Sequence, residues 1–204
     1  MHPLLGVLIG YLAGSIPFAY LAGKAHGIDL RQHGSGNLGA TNAIRVLGKK
    51  TGFAVYLADT LKGFVPVATL PAVLQTSQPH LWAIAIGVAA IIGHVKPIFL
   101  LGQGGGKGVA TTGGVFFGLT PLPTFIAFLS FLIVLAITKR VSIGSLTAAV
   151  VLPVGVIIEK GLTHPLSIIC VIIAFFVIWL HRSNIRRIMD GTEPKFGEKK
   201  EIAV

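Results

Sequence analysis

The stretch Gly34-Ser35-Gly36-Asn37-Leu38-Gly39-Ala40-Thr41-Asn42-Ala43-Ile44-Arg45 is small, polar and glycine-dense, and it lies between two long apolar segments. Its glycines let backbone N–H groups converge, its Ser, Thr and Asn side chains add neutral donors, and Arg45 adds a forked cation. Together these describe a cradle for an anion. A second cradle, Gly104-Gly105-Gly106-Lys107-Gly108, lies between two further apolar segments. Backbone N–H groups at the helix expected to open at Val109 favour an anion there, and Lys107 adds a point charge. Two phosphate-type nests at a membrane surface point to chemistry on a phosphorylated, lipid-related substrate.

Thr41, Asn42 and Arg45 share a face if a helix begins near Ala40, although the stretch alone also fits a glycine turn followed by a helix cap. Lys139-Arg140-Val141-Ser142 marks a third polar turn, where Ser142 reads either as a cap of the next helix or as a substrate contact. The last apolar segment ends in His181-Arg182-Ser183-Asn184-Ile185-Arg186-Arg187. There His181, Asn184 and Arg187 recur at i,i+3 as one polar stripe, while Arg182 and Arg186 fall elsewhere, toward anionic headgroups. A basic stop needs neither a His nor an Asn. The glycine loop is not a Walker A motif, since Leu101 stands where the first glycine is required and Gly108 where Ser or Thr must hold magnesium. With no HExxH, no Cys/His cluster and no pair of close loop carboxylates, neither a metal nor a cofactor is expected.

These residues need elements to hold them at a membrane. The chain has 204 residues, 53% hydrophobic and 12% charged, which is the composition of a polytopic membrane protein. Seven apolar segments, 3–23, 52–74, 81–101, 108–120, 124–138, 142–158 and 165–181, predict an all-α fold of seven transmembrane helices, some of them short. The fourth precedes Pro121-Leu122-Pro123, so it and the fifth also fit one re-entrant hairpin, which gives a five-span alternative. Positive charge orients the chain: Lys24, Arg31, Arg45, Lys49, Lys50, Lys107, Lys139, Arg140 and the basic residues after Leu180 share one face, and only Lys160 lies on the other. The N-terminus is therefore expected outside and the C-terminus in the cytoplasm. The segment from Pro3 to Gly23 reads as a retained span, since it lacks a basic n-region. Residues 1–190 are expected to form a single transmembrane catalytic domain, with 191–204 a short solvated cytoplasmic tail. The net charge of +10 does not suggest nucleic acid, because no aromatic residues interleave the basic ones. Cys170, the only cysteine, lies in an apolar run and reads as a hydrophobe. Asp59 and Lys62 fall inside the second span at i,i+3, where they can pair, either to orient this helix or to support the wall of a site. His94 reads as a supporting residue, and Pro97 as a kink where the glycine loop begins.

With these three motifs the chain resembles the bacterial acyl-phosphate:glycerol-3-phosphate acyltransferase family, over nearly its whole length to Arg187. Gly34 to Arg45 fits that family's GSGNxGxTNxxR motif, Gly106 to Thr111 fits GKGVAT, and His181 to Arg187 fits HRxNIxR. The family pattern HxxPxFxxFxGGKG is met less closely: after His94-Val95-Lys96-Pro97-Ile98-Phe99 the chain runs Leu100-Leu101-Gly102-Gln103-Gly104, with one extra residue and no second Phe. The resemblance implies transfer of a fatty acyl group from acyl-phosphate to the 1-hydroxyl of glycerol 3-phosphate, giving lysophosphatidate and phosphate. It implies that Ser35, Gly36, Asn37 and Lys107 bind one phosphate. Arg45, Ser142, His181 and Asn184 would hold the second and position the hydroxyl, with Gly34, Gly39, Thr41, Asn42, Gly106 and Gly108 completing the binding loops. Ser35, Arg45, Lys107, Ser142, His181 and Asn184 are then the catalytic set. The resemblance also implies a multi-pass protein of the bacterial inner membrane, with its site facing the cytoplasm. Its partners would be the two substrates and membrane lipids; no nucleic acid and a monomeric state are expected. No histidine is followed five positions later by Asp, so the H-x-x-x-x-D base of the other glycerolipid acyltransferases is absent. The glycerol 3-phosphate phosphate is then favoured over His181 as proton acceptor. An organophosphate transporter would also need a glycine-rich cationic site, but would place it near the midplane between repeated halves, and no repeat is evident.

Overall fold

The computed structural model describes residues 1–197, and among them the chain forms ten α-helices and no strand. It divides into two compact units, Met1–Leu119 and Thr120–Phe196.

The first unit holds α1 (Pro3–Ser15), α2 (Phe18–Ala25), α3 (Ala40–Leu47), α4 (Lys49–Thr69), α5 (Pro79–Val95) and α6 (Val109–Leu119). The segment expected as one span over 3–23 is broken after Ser15. Pro17 lacks an N–H and forces the residue before it out of the helical region, so Ile16 is extended with ψ 115°. A carbonyl freed in hydrocarbon needs a donor. Ile16 O accepts from Phe18 N at 3.1 Å and from Lys62 Nζ at 2.8 Å, and the same Nζ lies 2.7 Å from Asp59 Oδ1, so the expected i,i+3 pair forms.

Small residues set how closely these helices pack. Gly6, Gly10 and Gly14 line one face of α1, and a methyl group added at Gly14 would collide with the Ala90 carbonyl of α5. On α4 and α6 the same device works in both directions: a methyl at Gly63 would strike the Thr111 carbonyl, and one at Gly114 the Thr60 carbonyl.

The second unit holds α7 (Pro121–Thr138), α8 (Val141–Lys160), α9 (Pro165–Leu180) and α10 (Arg182–Met189). The α7–α8 hairpin turns at Lys139, whose φ is +57°, and its other end is tied by Thr120 Oγ1 donating to Glu159 Oε2 at 2.7 Å. Between α9 and α10 the chain bends by 56° at His181.

All seven apolar segments are helical. Pro3–Ala25, Lys49–Val73, Pro79–Leu100, Pro121–Thr138 and Val141–Lys160 are each long and apolar enough to cross a bilayer, and the bent pair α9–α10 makes a sixth if counted as one span. The 11-residue α6 is about 16 Å long, roughly half a hydrocarbon core. Ile137, Ile158 and Phe175, on α7, α8 and α9, are 75%, 80% and 70% exposed, as suits side chains that face lipid.

From Gly191 the chain departs from the expected solvated tail. The N–H groups of Thr192 and Glu193 both donate to Arg187 O, Arg140 Nε donates to Glu193 O at 3.1 Å, and Phe196 N donates to Lys139 O at 2.6 Å. Glu193 is buried. The Glu193 carboxylate ties this segment to Asn184 and Arg187 of α10, while its backbone groups tie it to the α7–α8 turn. The rest of the expected tail, 198–204, lies outside the described residues.

Candidate active site

The first cradle opens with Gly34 and Gly36 at φ +64° and +70°. A side chain at Gly34 would also collide with Asn42 Oδ1, so glycine is required there twice over. Asn42 is 1% exposed: its Oδ1 accepts from Ser35 N at 2.9 Å, and its Nδ2 donates to His33 O at 3.0 Å and Leu30 O at 3.3 Å. Gly36 N donates to His33 O and Gly39 N to Asn37 O. The expected nest of N–H groups thus has those of Ser35, Gly36 and Gly39 turned onto the protein itself. What the motif presents outward is the exposed Ser35 side chain, the partly exposed Asn37, Thr41 and Arg45, and the start of α3. That helix begins at Ala40, as the spacing predicts, and Gly39 before it supplies no side-chain cap.

Beside this motif, Asp29 grips Arg31 with both carboxylate oxygens, at 3.0 and 3.2 Å from Nε and 2.6 Å from Nη2. The Arg31 side chain and then its backbone N–H hold the Asp29 carboxyl down to about 2. The guanidinium lies 5.0 Å from the Tyr20 ring centre.

The second cradle folds against the end of α5. Gly106 N donates to His94 O at 3.3 Å. A side chain at Gly105 would overlap the Val95 carbonyl. One at Gly106 would collide with His94 Nε2 and approach Leu38 O to 2.9 Å, and one at Gly104 would meet Arg31 Cδ at 2.9 Å. Leu38 and Arg31 belong to the first motif and its approach, so the two loops lie side by side. Gly108, at φ +81°, turns the chain into α6, and Lys107 is partly exposed. The extra residue after Phe99 is taken up by a turn in which Leu101 has φ +52° and Gly102 N donates to Pro97 O.

In the second unit, Ser142 is not a helix cap. Arg140 holds that position at the start of α8, and Ser142 is buried in the first turn. His181 Nδ1 lies 2.8 Å from Val177 O. A carbonyl only accepts, so this nitrogen carries the proton and Nε2 is an acceptor in the neutral ring. Asn184 Nδ2 and Arg187 Nε each reach Glu193 at 2.7 Å, on Oε1 and Oε2 respectively, so the predicted His181-Asn184-Arg187 stripe is present and two of its members share a carboxylate. Burial pushes the Glu193 carboxyl up, but the hydrogen bonds from Asn184 and Arg187, with the polar Ser142 hydroxyl nearby, together outweigh it and hold the group below its ordinary value. Glu193 was not among the residues expected from the motifs; its signal in the sequence is no more than being one of two acids, with Asp190, soon after a run of cations. The described structure thus gathers Ser35, Arg45 and Lys107 with their loops in one unit, and Ser142, His181 and Asn184 in the other.

Residues 4–191 match the family model described as glycerol-3-phosphate acyltransferase. A glycerol-3-phosphate acyltransferase of Geobacter sulfurreducens is 44% identical over 197 residues, spanning 96% of this chain and 98% of its own. Two crystal structures of PlsY, an integral membrane glycerol 3-phosphate acyltransferase, are also similar. Its glycerol 3-phosphate form superposes with a TM-score of 0.87 at 36% identity, covering 96% of both chains. Its lysophosphatidic acid form superposes with a TM-score of 0.84 at 35% identity, covering 96% of this chain and 95% of the other. In motifs, fold and extent of match, the chain belongs to the integral-membrane glycerol-3-phosphate acyltransferase family and is an acyltransferase.

Proposed function

We propose that this enzyme transfers a fatty acyl group from acyl-phosphate to the 1-hydroxyl of glycerol 3-phosphate at the cytoplasmic face of a bacterial inner membrane. The observation that carries this reading is the contact of Gly106 with the Leu38 carbonyl, which joins two phosphate-type loops into one surface. The bound states of the PlsY structures, one with glycerol 3-phosphate and one with lysophosphatidic acid, are the substrate and product of the same transfer and support it.

Acyl-phosphate is a mixed anhydride, already activated, so no covalent enzyme intermediate is required. The glycerol hydroxyl oxygen attacks the acyl carbon, the bond from that carbon to the phosphate oxygen breaks, and inorganic phosphate leaves. Placement is the enzyme's main task. The side chains of Ser35, Asn37 and Lys107 bind one phosphate, with Gly36 shaping the turn between the first two; Arg45, Ser142, His181 and Asn184 hold the other and aim the hydroxyl. Cations and N–H donors stabilise the charge that grows on the carbonyl oxygen and the departing phosphate. The hydroxyl proton passes to the phosphate of glycerol 3-phosphate, with His181 positioning rather than abstracting. Asn42 serves this site by clasping the first loop, since its carboxamide is engaged by backbone groups.

In this reading the chain crosses the bilayer seven times as a monomer, with α6 the short crossing and the N-terminus outside. Purified protein in detergent, given acyl-phosphate and glycerol 3-phosphate, should form the ester with no sealed compartment. A strict need for closed vesicles would instead identify a transporter. Single cysteines introduced at Ser35 and Ser183 in a Cys170→Ala background should react with impermeant reagent from one face, and a cysteine at Lys160 from the other.

A further inference from the structure

The buried polar cluster on α4 and α5 has a side the transfer reaction does not use. Asp59 and His94 are 2% and 7% exposed, and His94 Nδ1 faces Asp59 Oδ1 at 3.7 Å. Neither of these two atoms makes a hydrogen bond of good geometry with another side chain or the backbone, although Lys62 Nζ is paired with the same carboxylate oxygen. The far edge of the imidazole, Nε2, lies where a side chain on Gly106 would be. His94 also takes the Gly106 N–H on its own carbonyl. Gly106 is therefore held by one residue from both its backbone and its Cα side, immediately before Lys107.

We propose that His94, oriented by the Asp59–Lys62 pair, is the positioning residue for the glycine loop, setting the height and direction from which Lys107 meets a phosphate. This rests on reading Gly104–Gly108 as a phosphate site, and it adds a residue that touches neither substrate. Three helices are tied into this support. Asp59 and Lys62 come from α4, His94 from α5, and Thr111 of α6 donates through Oγ1 to Asp59 O at 3.0 Å. Without the ring the loop loses the surface it rests on, and a displacement of about 1 Å in a binding group can cost up to about a hundredfold in rate.

The test is a kinetic double-mutant cycle on detergent-purified, monodisperse protein, with KM for both substrates and kcat measured separately. His94→Ala and Gly106→Ala should each lose about tenfold or more in kcat/KM, chiefly through KM for one and the same substrate. In the double variant the new methyl group occupies the space left by the ring, so the loss should be no greater than that of the worse single variant. His94→Gln, which returns an amide to the depth of Nε2, should recover most of the activity of His94→Ala. Losses that multiply in the double variant, unchanged kcat and KM in His94→Ala, or a Gln variant as poor as the Ala variant would each overturn the proposal. Lys107→Ala reports on the underlying reading alone: wild-type constants there would remove the phosphate site whatever the cycle gives.

Discussion

Removing the Glu193 side chain takes a buried acceptor from two donors at once. In Glu193→Ala the Asn184 amide, itself buried, loses a bond of 2.7 Å to a charged partner, at a cost of about 2 kcal/mol. The Arg187 bond is also 2.7 Å, but that side chain is 36% exposed and screened by solvent, so about 1 kcal/mol is appropriate. The total of about 3 kcal/mol corresponds to a fall of roughly 6–12 °C in apparent Tm for a chain of this size. Glu193→Gln keeps an acceptor for Asn184 and loses only the charge, so it should fall by about a third as much. Thermal unfolding in detergent, followed by circular dichroism, checks both. The pH dependence has a definite sign. Glu193 is held below its ordinary value of 4.5, so the unfolded chain binds the proton more readily than the folded one. Its contribution is complete above pH 4.5 and fades as the pH drops through the lower folded value. The gap between wild type and Glu193→Gln should therefore be constant near neutrality and close on acidification below pH 4.5. A Glu193→Ala protein within about 2 °C of wild type, or a gap that widens in acid, would refute the account of how this segment is held.

Lys62→Met should destabilise by about 3–5 kcal/mol, because it leaves Asp59 charged and unpaired, whereas Asp59→Asn with Lys62→Met should recover part of that loss; equal losses in the two would show that the ion pair is not the unit that matters. Gly114→Ala should destabilise by roughly 1–3 kcal/mol through its collision with the Thr60 carbonyl, and the neighbouring Gly113→Ala, which meets open space, should be neutral or gain about 0.5–1 kcal/mol; comparable unfolding temperatures for the two would remove the close-packing argument. His181→Ala should keep measurable turnover at saturating substrate while Lys107→Ala and Arg45→Ala do not, and near-zero turnover in His181→Ala would make the imidazole the general base instead.

What could be read without coordinates was whatever is local. The starts of α3 at Ala40 and α6 at Val109 follow from glycine loops that end in helix-forming runs, and the Asp59–Lys62 pair follows from i,i+3 spacing. Pro17 was hidden inside an apolar segment whose hydropathy is continuous, because hydropathy records the solvent and not the missing N–H. Asn42 and Arg45 share the spacing of one helical face, yet Asn42 is 1% exposed while Arg45 is partly open. An eight-residue helix carries too few turns for periodicity to say which edge of the face turns inward. Ser142 sits at a position typical of a cap, but Arg140 takes the cap because the turn before it is tightened by Lys139 in the left-handed region. The return of residues 191–196 depends on partners about fifty positions upstream, at Lys139 and Arg140, and no short-range pattern encodes it.

The buried charges of the first unit form a sequence of compensations that begins in the first apolar segment. Pro17 breaks that segment, and the Ile16 carbonyl released there, held locally by Phe18 N at 3.1 Å, takes a second donor within hydrocarbon. Lys62 supplies it, but an ammonium at that depth needs a counter-charge, and Asp59 on the next turn supplies that. A carboxylate oxygen so placed favours a polar neighbour over an aliphatic one, and the neighbour is His94, whose ring is the floor beneath Gly106. An apolar repacking of these positions would satisfy the bilayer equally well and could even be more stable. It would not hold the succession of polar and packing contacts that runs from the first segment to the loop before Lys107. On this view the polar groups are retained for the geometry they specify rather than for the stability they add.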